Sequence, residues 1–333
     1  MLPYEAPAMQ IAGISVSFWF VFHYLLAWPF TFYYIVRESM RRRDISLDSM
    51  LQLFAFIVLG SIAGARILGF FGPWSWAGAG FSDRFISMFS LASPGWVSYG
   101  GIAGGLLAAY IYTGLKGLGF LRYIDAVIPA VPLGFMIARV GCFLHGCCYG
   151  SVTEVPWAII RNGVAIHPVQ SYNSLMHLGL FILMLYLARM KDHEGMKEGF
   201  MLSSFAVAYS CLRFFTEFFR GDYGPSQYIG GIAVSQMILL IIFLVFLPLL
   251  IRTVRMRTAR KDRKKRRWGA RCIKGIKYFI ISAGPFSLAL MAGGGILMNA
   301  GAITLTALPS VSIIMILAGL LSVAAGIRGV MSR

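Results

Sequence analysis

Charge is what this chain has least of: only 13% of its 333 residues are Asp, Glu, Lys or Arg, while 58% are hydrophobic and the mean hydropathy is +0.73. That scarcity excludes an ordinary soluble domain, which needs a charged surface to stay in water. Acids are scarcer still, 13 against 30 Lys and Arg, giving a formal net charge of +17. With so few acids there is no row of pore-lining carboxylates, which argues against a cation channel. Cysteine is sparse as well, five in all, too few and too clustered for the disulfide framework of a small secreted domain. Nothing ahead of the first apolar run reads as a basic n-region with a cleavage site, so that run is expected to stay in the protein.

What the chain has instead is long apolar stretches, several near the roughly 20 residues that cross a bilayer core. Spans are expected at 11–36, 48–71, 95–115, 124–145, 168–188, 199–219, 228–251, 276–298 and 304–327, the fourth interrupted by Pro129 and Pro132. The expected fold is therefore all-α and polytopic, with a seven-span core and a C-terminal two-helix hairpin.

Basic residues set its orientation. Arg37, Arg41, Arg42 and Arg43 follow the first span, Lys116 and Arg122 the third, and Arg189, Lys191 and Lys197 the fifth, with a further run from Arg252 to Lys277. By the positive-inside rule these loops are cytoplasmic, which puts the N-terminus outside and the C-terminus inside. The run includes Arg260 to Arg267 and supplies much of the net charge. Beside two spans it is expected to lie on anionic lipid and to fix topology rather than bind nucleic acid. It also divides the chain into a membrane core (1–251), a polybasic linker (252–275) and a hairpin (276–333) with Gly293, Gly294, Gly295 and Gly301.

On this topology the unusual residues collect at the outer ends of the spans. Tyr99, Gly100, Gly101 and Gly104 open the third, Arg139 through Gly150 close the fourth, His167 through Asn173 open the fifth, and Arg213 to Arg220 end the sixth. Arg213, Glu217 and Arg220 are spaced four and three apart, so all three are expected on one helical face with Glu217 holding the arginines. Ionisable groups in spans are expensive and mark functional sites, although a structural ion-pair network would use the same residues. Arginine suits a phosphate because its planar fork donates two parallel hydrogen bonds and stays charged. The glycines permit close approach of either a headgroup or a neighbouring helix. Arg66 is a further charge inside the second span.

Cys142, His145, Cys147 and Cys148 are soft ligands within seven residues. Four donors so close in one segment rarely close a tetrahedron without a second pair, so no metal is assigned. Small-residue packing and a reactive thiol both stay open.

Three of these motifs together resemble the prolipoprotein diacylglyceryl transferases of bacterial inner membranes, over residues of about 10–250. The resemblance rests on Arg139, Gly141, Phe143, Gly146 and Gly150 in a Gly-Arg-x-Gly-Asn-Phe region. It rests also on His167, Pro168, Gln170 and Tyr172 in a His-Pro-x-Gln-x-Tyr motif, and on Arg213, Glu217 and Arg220 in an Arg-Phe-x-x-Glu-Phe-x-Arg motif. It implies seven spans with the N-terminus outside, and transfer of a diacylglyceryl group from phosphatidylglycerol or another phospholipid to the cysteine thiol of a lipoprotein precursor at the outer face, without a cofactor. It implies catalytic roles for Arg139, Arg213, Glu217, Tyr99 and His167, and substrate contacts at Gly100, Gly101, Gly104, Cys142, His145, Gly150, Gln170, Tyr172 and Arg220. The chain departs from the family where a His-Gly-Gly motif reads Tyr99-Gly100-Gly101, and where Cys142, Cys147 and Asn173 replace an asparagine and two glutamates. Tyrosine, with an ordinary pKa near 10, is a poor base. His145, His167 or a cysteine thiolate are then the substitutes, and the alternatives are a non-catalytic lipid-binding or lipid-moving relative or a transferase with a different acceptor.

Overall fold

The computed structural model describes residues 8–11, 14–17, 21–42, 44–71, 80–89, 96–224 and 227–256. Nearly all of the polybasic linker, and both hairpin spans at 276–298 and 304–327, lie outside the described residues.

The first expected span begins later than its apolar content suggested. Strands β1 (Ala8–Ile11) and β2 (Ile14–Ser17) pair antiparallel, and among the described residues helix begins with a π-helical stretch, Val21–Ala27, that runs into α1 (Trp28–Arg41). The period-two alternation Ile14-Ser15-Val16-Ser17 is a strand pattern, and total hydrophobicity hides it. Beyond this point helices dominate: α2 (Leu47–Phe71), α3 (Phe81–Met88), α4 (Ser98–Leu115), α5 (Phe120–Val127), α6 (Ala130–His145), α7 (Val169–Glu194), α8 (Phe200–Glu217) and α9 (Val234–Arg255). Two short hairpins interrupt them: β3 (Ile159–Arg161) with β4 (Val164–Ile166), and β5 (Tyr228–Ile229) with β6 (Ile232–Ala233). Both turn on left-handed pairs, Asn162-Gly163 and Gly230-Gly231, the backbone a two-residue hairpin needs. The second hairpin delays the seventh expected span from 228 to 234.

Helices α2, α7 and α9 are each long and apolar enough to cross a membrane; α5 and α6 together are a fourth candidate, bent by 40°. The bend falls where Pro129, lacking an N–H, cannot continue the ladder of α5. The outward faces of the helices are bare hydrocarbon: Leu59 is 67% exposed, Leu115 77%, Leu175 66% and Ile241 61%. Water would not tolerate so much exposed apolar side chain, and lipid would, so the chain is a multi-pass membrane protein.

Helices α2 and α4 touch along glycine. Gly60 and Gly64 face Gly104 and Gly100, and a Cβ on Gly60 would lie 2.6 Å from the Gly104 carbonyl oxygen. The choice left open in the sequence thus falls to helix packing for Gly100 and Gly104, whose missing side chains are filled by the backbone of α2. Gly101 faces the same helix less tightly, 3.4 Å from the Ser61 carbonyl. Gly104→Ala would set a methyl 2.8 Å from the Gly64 Cα and is expected to cost about 1–3 kcal/mol by overpacking. Gly114→Ala, with nothing within 4 Å, should be neutral or stabilising by up to about 1 kcal/mol. Thermal melting in detergent separates the two.

Charge is sorted to the two ends of the bundle. At one end Glu38 of α1 accepts from Arg41 and Arg42 at 2.7 and 2.8 Å, Arg41 reaches Asp192 of α7 at 2.8 Å, and Arg122 pairs with Glu198 at 2.8 Å. Here too Asp125 of α5, fully buried, accepts from the Lys191 ammonium and from the amides of Gly199 (2.8 Å) and Leu202 (3.0 Å) at the start of α8. The other end carries the residues discussed next.

Candidate active site

The site is built around the end of α6. Gly146 stops that helix in the left-handed region (φ 77°), and its N–H bonds the carbonyls of Cys142 and Phe143 at 2.9 and 3.2 Å. Arg161 of β3 donates to the Gly146 carbonyl and stacks over Tyr149 at 4.8 Å. The chain reverses so that Cys147 and Cys148 fold back on Cys142, and Gln170 fastens the turn by donating to the Cys147 carbonyl at 2.7 Å.

Gly150 is where three segments meet. It forms a β-bridge with Arg220, and a Cβ there would lie 2.6 Å from the His167 Cβ and 2.7 Å from Val169 Cγ2. The requirement for glycine is steric, and contact with a substrate is not needed to explain it.

Arg213 is buried on α8 and both its terminal nitrogens are engaged: with Glu217 as an ion pair, with Asn173 Oδ1 at 3.1 Å and with Thr216 Oγ1 at 2.7 Å. Glu217 accepts in turn from Tyr223 and from Ser235 Oγ at 2.7 Å. Tyr99 approaches this cluster from α4, its hydroxyl 3.5 Å from the Ser235 carbonyl oxygen. Arg220 corrects the expectation of one helical face. Helix α8 ends at Glu217, so Arg220 lies in extended backbone beyond it and makes a two-pronged pair with Asp222 at 2.6 and 2.8 Å, under a cation–π contact with Tyr223 at 4.6 Å. Spacing was read through a helix terminus that spacing alone does not reveal.

Arg139 differs from the other two. Its half-buried guanidinium, on α6, forms no hydrogen bond or ion pair with any described residue, yet lies within electrostatic reach of Cys142, Cys148, Arg220 and Tyr209. Arg66 is buried against the Trp96 ring at 4.0 Å, a contact that leaves it outside this group.

His167 is buried between Phe219, 5.0 Å away, and Tyr172, whose hydroxyl is 3.2 Å from its Nδ1 and accepts from Trp157 at 2.7 Å. The Tyr172 hydroxyl can donate to Nδ1, which places the ring proton on Nε2, or accept from it; the tautomer decides the direction. Burial lowers its pKa from the ordinary 6.5. Below 6.5 the unfolded chain therefore takes up a proton that the folded one refuses, and stability present above that pH is lost as it falls. His167→Gln is expected to flatten this acid limb of a melting-temperature profile.

Sequence reasoning missed His177, Thr216, Asp222, Tyr223 and Ser235. His177 is 1% exposed on α7; its Nδ1 donates to the Asn173 carbonyl at 2.6 Å, and its buried Nε2 has no partner among the described residues. It packs against Phe135 and Tyr209 at 5.3 and 5.9 Å, within electrostatic reach of Arg139 and Arg213. A signal existed: a histidine inside an apolar span, ten residues after His167. His145, in contrast, is half-buried with Nδ1 unpaired at the end of α6.

Apolar helices enclosing arginines, carboxylates and an imidazole at one end define a membrane protein with a cationic, polar-lined site. The chain belongs to the prolipoprotein diacylglyceryl transferase family, whose model matches residues 7–252. A relative from Clostridioides difficile (strain 630), named phosphatidylglycerol–prolipoprotein diacylglyceryl transferase, is 32% identical over 207 residues, 62% of this chain and 79% of its own length. A relative of the same name from Finegoldia magna (strain ATCC 29328 / DSM 20472 / WAL 2508) is 30% identical over 236 residues, 71% of this chain and 90% of its own. One from Campylobacter lari (strain RM2100 / D67 / ATCC BAA-1060) is 27% identical over 257 residues, 72% and 90% respectively.

Proposed function

We propose that the protein is a transferase that moves the diacylglyceryl group of phosphatidylglycerol onto the cysteine thiol of a lipoprotein precursor. Arg139 is the observation that carries the site: it is a half-buried cation beside the cysteine cluster whose hydrogen-bond donors no described residue uses. A phosphodiester gives those donors their partner. The thiolate sulfur attacks the glycerol carbon bonded to the headgroup phosphate, the carbon–oxygen bond breaks, and glycerol phosphate leaves carrying the electron pair. Arg139 holds the phosphate and neutralises the charge gathering on its oxygens. Arg213 is a positioning residue in this scheme, because Glu217, Asn173 and Thr216 take its donors.

The thiol proton needs an acceptor that is unprotonated and unpaired. His177 supplies one, since its Nδ1–H is bound to a backbone carbonyl and its Nε2 lone pair is free. Tyr99 and His167 then act as donors, and Gln170 and Tyr172 hold the turn and the His167 ring. Basic residues at the opposite end of the bundle favour seven spans with this site at the outer face of a bacterial inner membrane, N-terminus outside, followed by a cytoplasmic polybasic linker and a final hairpin.

The test is an incubation of purified protein with phosphatidylglycerol and a lipobox peptide. The expected result is a peptide heavier by one diacylglyceryl group, with glycerol phosphate released in equal amount, and a rate that falls by about 10²–10⁴-fold in His177→Ala. Lipid retained without any modified peptide would overturn the transferase reading in favour of a lipid-binding relative, which the tyrosine at position 99 would suit. Full activity in His177→Ala would overturn only the assignment of the base.

A further inference from the structure

The three thiols at the end of α6 are not used by the chemistry above. The Sγ atoms of Cys142, Cys147 and Cys148 all lie within 4.8 Å of one another. Spacing alone argues against a metal, since four donors in one short segment seldom surround an ion. The structure supplies a donor from elsewhere: His23, 119 residues earlier in the π-helical stretch Val21–Ala27, places Nε2 3.9 Å from Cys142 Sγ. Zinc–sulfur bonds of about 2.3 Å set ligand separations of about 3.8 Å in a tetrahedron; the three thiols are grouped near that spacing, and His23 meets it from Cys142, so an ion would draw the imidazole toward the other two.

We propose that Cys142, Cys147, Cys148 and His23 form a Cys₃His site for a thiophilic divalent cation of the zinc type. The backbone is shaped to bring the thiols together: Gly146 reverses the chain in the left-handed region, and Cys148 also has φ 58°, a conformation uncommon for a side-chain-bearing residue. Binding displaces the thiol protons, leaving three thiolates around a dication with one net negative charge. Arg139 lies within electrostatic reach of Cys142 and Cys148, and Arg220, itself paired with Asp222, within reach of Cys148, so the surroundings of the thiols are cationic enough to tolerate that charge. The ion ties the chain entering α1 to the last turn of α6, one turn from Arg139, and so holds that arginine in register. The site stands whether or not diacylglyceryl transfer proves to be the reaction.

The experiment uses full-length protein purified in detergent without chelators, with metal content read by mass spectrometry and cobalt(II) exchanged into the site. About one ion per chain is expected, and the cobalt form should carry the intense visible bands and sulfur-to-metal charge transfer of tetrahedral thiolate coordination. Cys142→Ser, Cys147→Ser, Cys148→Ser and His23→Ala should each weaken binding by more than the about 10–100-fold that loss of an outer-shell partner costs, while Cys211→Ser should not. Three freely alkylated thiols with no cobalt bands in the unsubstituted protein would overturn the proposal without recourse to any variant. A disulfide among the three cysteines would do so equally. Unchanged binding in His23→Ala, or copper(I) held by the thiolates alone, would overturn the tetrahedral site.

Discussion

Arg139→Ala is expected to lower the rate of diacylglyceryl transfer by about 10²–10³-fold while leaving the melting temperature nearly unchanged, because it removes a charge-stabilising donor that the folded chain does not itself use. Arg139→Lys should fall between the two, since an ammonium keeps the charge and loses the fork that grips two phosphate oxygens. Arg213→Ala is the informative contrast. It strips the ion-pair partner from Glu217, a carboxylate 4% exposed, and takes one donor from Asn173 and Thr216, which keep their bond to each other, so instability of about 3–5 kcal/mol should accompany its loss of activity. Transfer assays paired with thermal melts in the same detergent distinguish the two arginines. An Arg139→Ala enzyme within tenfold of the unsubstituted rate would remove Arg139 from the phosphate site.

The sequence made the long helices legible because lipid burial writes a continuous apolar run. The span expected at 48–71 is the apolar helix Leu47–Phe71, a helix Phe200–Glu217 lies where 199–219 was expected to cross, and the suspected break at Pro129 is a 40° bend. Where the period changed, hydropathy misled. The Ile14–Ser17 alternation and the Gly230-Gly231 turn belong to hairpins that were absorbed into neighbouring spans. In the site, residue types were readable and their pairings were not. Arg213 with Glu217 followed from spacing of four on one helix, but Arg220 with Asp222 depends on where α8 stops. The approach of His23 to Cys142, and of Ser235 to Glu217, are tertiary contacts with no periodic trace in the chain. Gly100 and Gly104 were ambiguous for a different reason: a glycine that admits a headgroup and one that admits a helix look identical until the neighbour is known.

The largest stability effect away from the site is expected at Asp125. Its carboxylate is fully buried and serves three donors: the Lys191 ammonium of α7 and the first free amides of α8 at Gly199 and Leu202. Asp125→Ala leaves an ammonium, itself 8% exposed, without compensation, and uncaps a helix N-terminus, which together should cost about 3–5 kcal/mol or more. Glu198→Ala, which breaks the exposed Arg122–Glu198 pair close by, should cost no more than about 1 kcal/mol. Replacing both buried partners, Asp125→Leu with Lys191→Met, should recover a large part of the loss, because the penalty lies in the unpaired charge rather than in the absence of attraction. Melting temperatures of the four proteins decide the matter, and an Asp125→Ala loss as small as that of Glu198→Ala would refute it. The pair matters to the site at the far end because α5 leads directly into α6, which carries Arg139, with only the proline break between them. Asp125 anchors α5 to α7 and α8, and α5 runs into α6, so weakening the anchor should lower transfer activity before the protein unfolds.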